Sequence, residues 1–310
     1  MTSDGSARRP GPGSGRASGQ GPGQGSGPVI DLHAHSTVSD GTESPTVLVE
    51  AAAAAGIDVL AITDHDTVGG WEEASVAARR TGVSLVPGIE VSCAVRGVSI
   101  HLLGYLTDPD DPALMAELAH ARESRATRLE RMVARMAADG IPLTYEQVLA
   151  QVAPGATAGR PHIADALIAN GTIRHRDEAF REWLAEDSPY YVSHHAPHPV
   201  RAVELVRAAG GVPVLAHPFT LTRSRGGDEA LVEQMYAAGL VGLEAFHRDH
   251  GPEQIARAKA LAERLGLLLT GSSDYHGAGK LNQLGEHTTD PAVLDAIEQA
   301  SSGVTPIVRP

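Results

Sequence analysis

A chain of 310 residues with 42% hydrophobic residues can bury one large core or two small ones, and aromatics at 4% leave Leu, Val, Ala and Ile to fill it. The 25 Lys and Arg against 38 Asp and Glu give a formal charge of −13, which argues against a surface for duplex DNA or an anionic membrane, yet leaves room for a small phosphate ester held by cations. The single Cys93 permits no internal disulfide and implies a reducing, cytoplasmic compartment.

Residues 1–27 are nearly all Gly, Ser, Pro, Arg, Gln and Thr, so they cannot bury enough apolar surface to offset their ordering entropy and read as a disordered tail. They contain no apolar stretch of the kind a secretory signal needs, and no later run is long and apolar enough to span a membrane. From Val29 onward strand and helix patterns alternate. The strands are expected at Val29–His33, Asp58–Thr63, Ser84–Pro87, Val98–Tyr105, Val212–Ala216, Val241–Phe246 and Leu267–Thr270. Helices are expected at Pro45–Ala55, Trp71–Arg80, Pro199–Ala209, Glu229–Ala238, Glu253–Leu265 and Pro291–Ser301. Ser44-Pro45 supplies a cap followed by proline at the first helical position, Gly56 closes that helix, and Asp290-Pro291 repeats the start signal. Such alternation predicts an α/β fold with a parallel sheet, and about seven strands predict a closed or nearly closed barrel.

The alternation breaks between Asp108 and Pro197. Helices are expected there at Pro112–Asp139, Thr144–Ala150, Arg160–Asn170 and Asp177–Ala185, with no strand among them. The stretch is too long for a crossover loop. The expected organisation is therefore a tail at 1–27, barrel at 28–107, an inserted helical subdomain at 108–197, and the rest of the barrel at 198–310.

Polar residues just past the strands carry the chemistry. His33 and His35 stand two apart at a strand end and project to one face, and Asp40 follows in Val-Ser-Asp-Gly. Later strands bring Asp64-His65-Asp66, Gly88-Ile89-Glu90, His101, His217-Pro218 and Asp274-Tyr275-His276. Each residue alone has a structural reading: Asp64 as a helix cap, His101 as a core histidine, Asp274 as a turn residue. Recurrence on six strands, at the rim where barrels gather their catalytic groups, favours a site. Six histidines and three carboxylates exceed one coordination sphere and point to a multinuclear cluster, with Glu90 able to bridge two cations. Asp31, Asp64 and Asp66 fit as partners that orient the imidazoles.

The motifs Asp-Leu-His-Ala-His-Ser, Ile-Thr-Asp-His-Asp-Thr, Pro-Gly-Ile-Glu, Leu-Ala-His-Pro and Gly-Ser-Ser-Asp-Tyr-His-Gly, spread from Val29 to Gly277, resemble the PHP (polymerase and histidinol phosphatase) superfamily of metal-dependent phosphoesterases. Gly159-Arg160-Pro161-His162-Ile163-Ala164 and Tyr191-Val192 resemble its stand-alone nucleotide and RNA-end phosphoesterases. The resemblance implies a distorted (β/α)7 barrel with an inserted helical subdomain and a site for three divalent ions, Mn, Fe or Zn. Carried over, His33, His35, Glu90 and Asp274 would hold the first ion, Glu90, His101 and His217 the second, and Asp40, His65 and His276 the third. At the insertion the chain reads Tyr191-Val192-Ser193-His194-His195-Ala196-Pro197, less aromatic than the pattern of its relatives.

In such a site metal-activated water attacks phosphorus while cations neutralise the phosphate oxygens. Arg160 and His194 are candidates for phosphate contact or protonation, and Arg223 and His247 for substrate binding. The expected reaction is hydrolysis of a small phosphorylated nucleotide, foremost the 3′-phosphate of a 3′,5′-nucleoside bisphosphate. Alternatives are 5′→3′ exoribonuclease action on short RNA, histidinol phosphatase activity, and a non-catalytic metal-binding module. The intact set of candidate ligands opposes the last, and the acidic balance favours small substrates over long RNA.

Overall fold

The computed structural model describes residues 1, 27–185, 187–220 and 228–310; most of the expected tail, and Arg223, lie outside them. Among the described residues, strand and helix alternate as β1 (Ile30–Asp31), α1 (Pro45–Ala54), β2 (Val59–Ile62), α2 (Trp71–Thr81), β3 (Ser84–Val95) and β4 (Val98–Tyr105). Four consecutive helices follow: α3 (Pro112–Ala138), α4 (Tyr145–Leu149), α5 (Arg160–Ala169) and α6 (Arg176–Glu182). Alternation then resumes with α7 (Pro199–Ala208), β5 (Val212–Leu215), α8 (Glu229–Ala237), β6 (Gly242–Phe246), α9 (Pro252–Leu265), β7 (Leu268–Gly271) and α10 (Pro291–Ala300). The strands form one sheet in sequence order. Just beyond its two end strands the chain meets again: Ala34 bridges Tyr275, and His35 N–H donates to Tyr275 O at 2.8 Å. The result is the nearly closed barrel that the strand count predicts, distorted as the family resemblance implies.

The sheet is not parallel throughout, which corrects one expectation. β4 runs antiparallel to both β3 and β5, and β3 continues eight residues past Pro87, to Val95. Val95 pairs with Val98 across Arg96-Gly97, whose φ values of 49° and 81° suit a tight hairpin turn. Two residues cannot carry a parallel crossover, which needs a dozen or more. His101 therefore lies inside the strand expected at Val98–Tyr105, but the antiparallel direction of that strand sets it opposite Ser92.

Side-chain alternation divides the core into layers. Leu60 and Ile62 pack with Leu48 and Val49 of α1 and Ala74 and Ala78 of α2, whereas Val59 and Ala61 join Leu32, Leu103 and Val214 in a second cluster. Leu294 and Ile297 of α10 belong to that second cluster. Each fully buried Leu or Ile contributes about 1.5–3 kcal/mol, so these layers carry the stability that buried polar groups do not. Helix α3 begins at Pro112 with Asp111 accepting from the Ala113 and Leu114 N–H groups. Its 27 residues span about 40 Å. Leu114 and Leu118 pack on the barrel, while Leu129, Met132 and Met136 pack with Ile163, Leu167 and Ala179 of α5 and α6 in a third cluster. One helix thus ties a separate apolar centre to the barrel. No helix among the described residues is long and apolar enough to cross a membrane.

Candidate metal centre

The loop after β1 brings His33 and His35 together, their Nε2 atoms 3.0 Å apart. Both face the same two carboxylate oxygens. Glu90 Oε2 lies 3.2 Å from His33 Nε2 and 3.1 Å from His35 Nε2, and Asp274 Oδ1 lies at 3.4 and 3.3 Å. On the other side of Glu90, Oε1 lies 2.7 Å from His101 Nδ1 and 3.4 Å from His217 Nε2. The antiparallel hairpin explains the shorter of these approaches. Glu90 and Ser92 share a face of β3, Ser92 is paired with His101, and His101 is thus the diagonal neighbour of Glu90. A third group gathers around Asp40, 3.2 Å from His276 Nε2 and 3.7 Å from His65 Nε2. His35 joins it through Nδ1, 3.7 Å from Asp40 Oδ1. The nine expected metal residues therefore converge, and all are buried. His65 is more central than expected, since its Nδ1 is also 3.3 Å from Glu90 Oε2.

The surroundings hold these groups against their mutual repulsion. Gly41 lets the Asp40 turn close on itself, because a Cβ there would collide with the backbone oxygen of His35. His217 and Asp274 adopt left-handed φ values of 27° and 52°, a conformation that costs a non-glycine residue about 1–3 kcal/mol and persists only when packing enforces it. For His217 the enforcing contact is its N–H bond to Glu244 Oε2 at 2.8 Å. Glu244 Oε1 also lies 2.9 Å from His33 Nδ1 and accepts from the Ser272 hydroxyl. The sequence reading missed Glu244, although a lone carboxylate inside the apolar run Val241–Phe246 was a signal. It does what was expected of Asp31, Asp64 and Asp66. Those three accept instead from hydroxyls and backbone N–H groups: Asp31 from Ser273 and Gly285, Asp64 from Ser36 and Ser39, and Asp66 from Ser92. They fix the loops, and the loops fix the imidazoles.

Burial disfavours charge on every member, and the neighbours decide the outcome. Asp274 and Glu90 carry the His35 imidazole up to about 9 despite its burial, and Glu90, Glu244 and Asp274 hold His33 well above its ordinary range. His101, His65 and His33 in turn keep Glu90 well below the usual carboxylate range despite its burial. His276 falls to about 4 under burial and the nearby Lys280 ammonium. Lys280 Nζ donates to Asp274 Oδ2 at 2.6 Å, a second contact that the sequence reading missed. Glu90 Oε1 and His65 Nδ1 are fully buried, and what faces them is other ligand-type atoms, His101 Nδ1 and Glu90 Oε2. A buried carboxylate shared by imidazoles on both sides, protons drawn onto crowded imidazoles and a mixed nitrogen–oxygen donor set together fit divalent cations.

The cluster forms one wall of a cavity of about 440 Å3, and Arg125, Arg128, Arg160, Arg176 and His194 line it from the four-helix segment. Arg176 is committed to structure, binding both Asp165 oxygens at 2.6 Å and donating to Asp40 O at 3.1 Å. Arg160 donates to Leu184 O at 2.8 Å and lies over the rings of Phe180 and Tyr191. Arg128 also lies over Tyr191, and its Nη1 is 3.1 Å from His194 Nδ1. Because a guanidinium only donates, Nδ1 accepts and the neutral His194 ring carries its proton on Nε2. That Nε2 is buried with no partner among the described residues. Burial and the charges of Arg128, Arg125 and Arg160 push His194 down to about 3, so it is neutral near pH 7. His247 also lines the cavity, its Nε2 3.5 Å from Asp274 Oδ2. His250 does not join the site: it bonds Ala245 O through Nδ1 and accepts from Phe219 N–H through Nε2, bracing the loop after β5.

Comparison with known proteins agrees with this geometry. The sequence model of the PHP domain matches residues 31–185. A 3′,5′-nucleoside bisphosphate phosphatase from Chromobacterium violaceum is 35% identical over 261 residues, covering 84% of this chain and 92% of that protein. A 5′-3′ exoribonuclease from Haemophilus influenzae is 32% identical over 246 residues, 79% of this chain and 89% of its own length. A solved structure from Bifidobacterium adolescentis, described as a candidate metal-dependent phosphoesterase, superposes with a TM-score of 0.85 at 41% identity. It covers 88% of this chain and 96% of its own.

Proposed function

The chain belongs to the PHP-domain family and is a metal-dependent phosphoesterase, and on that premise we propose that it removes the 3′-phosphate from 3′,5′-nucleoside bisphosphates. One observation carries the choice of substrate: a single cavity sets Arg128, Arg160 and His194 across from the histidine–carboxylate cluster. Such a cavity offers one place for the phosphate that reacts and another for a phosphate that only binds. The similarity to the Chromobacterium violaceum phosphatase supports the same reading.

His33, His35, Glu90 and Asp274 would hold one ion, Glu90, His101 and His217 a second, and Asp40, His65 and His276 a third, with Mn, Fe or Zn suited to the donors. Divalent cations there supply activated water and neutralise phosphate charge. The protein's own groups do the rest. Arg160 presents a planar guanidinium to the remote phosphate, anchored by Leu184 and the two aromatic rings. His194 offers its Nε2–H to a phosphate oxygen and acts in the neutral protein as a hydrogen-bond donor. His247, beside Asp274, borders the reacting end. Binding energy from the remote phosphate is spent on orienting the one that is cleaved.

The four-helix segment 108–197 acts in this reading as an inserted subdomain that roofs the barrel mouth of 28–107 and 198–310. A reducing, cytoplasmic setting fits the lone Cys93. A second reading, exoribonuclease action on short RNA, draws on the 32% identical relative. A phosphate-release screen of nucleoside mono- and bisphosphates and short 5′-phosphorylated RNAs, with Mn, Fe and Zn each added, separates the two. Release of one phosphate per bisphosphate, leaving the 5′-mononucleotide, is the expected result. Ready shortening of RNA with the bisphosphate untouched replaces this reading with the second.

A further inference from the structure

Outside the barrel mouth, the described residues hold a further set of converging metal-ligand atoms, from Glu117, His120 and His195. Glu117 and His120 lie three apart on α3 and so share a face. His195 arrives from the segment between α6 and α7. Its Nε2 is 2.6 Å from Glu117 Oε1, and its ring stacks on that of His120 with centroids 3.9 Å apart and planes 15° from parallel. One ligand atom from each of the three residues falls within 4.8 Å of the others. None of the three lines the cavity.

An ordinary ion pair would need only Glu117 and His195. The exposed His120 brings the set to two imidazoles and a carboxylate, the donor combination of three-ligand zinc sites, and leaves a fourth position for water. His195 N–H also donates to Ser124 Oγ at 2.7 Å and so holds the segment against α3.

We infer that Glu117, His120 and His195 form a binding site for a Zn2+-class transition-metal ion, separate from the cluster at the barrel mouth. The ion ties the segment carrying His194 to the helix carrying Arg125 and Arg128. Those three residues line the cavity, and Arg128 Nη1 already lies 3.1 Å from His194 Nδ1. The outer ion is thus a clamp on the cationic wall and takes no part in bond cleavage.

Equilibrium dialysis of the full chain against micromolar Zn2+, followed by elemental analysis, tests this. His120→Ala and His195→Ala should each bind one zinc equivalent fewer than wild type. Both should also lose part of the zinc-dependent rise in Tm, read for each variant against its own metal-free Tm. His120 is exposed and gives up only its stacking on His195, so its replacement decides the matter even if His195→Ala folds poorly. Glu90→Ala should keep the outer ion while losing others, which separates this site from the cluster. Wild-type zinc content in His120→Ala, or loss of all zinc from Glu90→Ala, overturns the inference.

Discussion

The Nδ1 of His33 lies 2.9 Å from Oε1 of Glu244, and neither residue exposes any surface. The carboxylate fixes which nitrogen of His33 carries the proton and leaves Nε2 free to face Glu90 and Asp274. Glu244 is ionised: although burial opposes its charge, His33 above all holds it down to about 2. Glu244→Gln keeps the shape and removes the charge. Metal affinity, read by competition with a chelator, should fall about 10–100-fold, the usual cost of losing such a partner. Circular dichroism should not change. Unaltered affinity would remove Glu244 from this orienting role.

Glu90 serves two groups, through Oε2 with His33 and His35 and through Oε1 with His101 and His217. Glu90→Ala should therefore release more than one metal equivalent per chain. His276→Ala is the cleaner probe of the group around Asp40, since His65 also touches Glu90. It should release fewer equivalents than Glu90→Ala. Elemental analysis of both variants beside wild type checks the order, and full metal content in Glu90→Ala contradicts the bridging role.

These assignments show what a sequence displays and what it hides. His33, His35, Asp64-His65 and Asp274-Tyr275-His276 were legible because each is a short polar motif ending an apolar run. Glu90 and His101 were found as residues, but Glu90 was expected past a strand that continues to Val95, and the antiparallel direction of the strand carrying His101 was not foreseen. The two-residue turn Arg96-Gly97 that makes β3 and β4 a hairpin was outweighed by the alternation on either side. Glu244 escaped because a side chain pointing into a barrel from mid-strand looks locally like any polar residue in a strand. Arg125 and Arg128 escaped for another reason. Helix α3 carries arginine at 122, 125, 128, 131 and 135, and only its packing decides which of them reach the cavity.

Metal loading should displace protons. In the metal-free protein His35 holds its proton up to about 9, because Asp274 and Glu90 outweigh the burial that opposes its charge. An imidazole must lose that proton to bind a cation. At neutral pH, adding metal to a weakly buffered sample should thus acidify it. Affinity should strengthen as pH rises toward about 9 and weaken as it falls, because protons compete for the same nitrogen. Calorimetric titrations in buffers of different ionisation enthalpy count the protons released. Zero release at neutral pH would mean that His35 is already neutral there.

Arg160 is the sharpest test of substrate choice. It lies on the cavity wall contributed by the helical segment, braced by Leu184 O and by the rings of Phe180 and Tyr191. A cation cluster alone sees mainly a phosphate and accepts many monoesters, so selectivity must come from groups that bind elsewhere on the substrate. Arg160→Ala removes the guanidinium from the proposed site of the second phosphate. For a 3′,5′-nucleoside bisphosphate, kcat/KM should fall roughly 10–100-fold, or about 1.4–2.7 kcal/mol, as expected for one charge-assisted hydrogen bond. For p-nitrophenyl phosphate, which has no second phosphate, the change should be small. Truncation also loses the packing against Phe180 and Tyr191, and any general loosening of the wall would appear with both substrates. The ratio of the two losses is therefore the informative quantity. Equal losses would place the second phosphate elsewhere in the cavity, with Arg128 the next residue to replace.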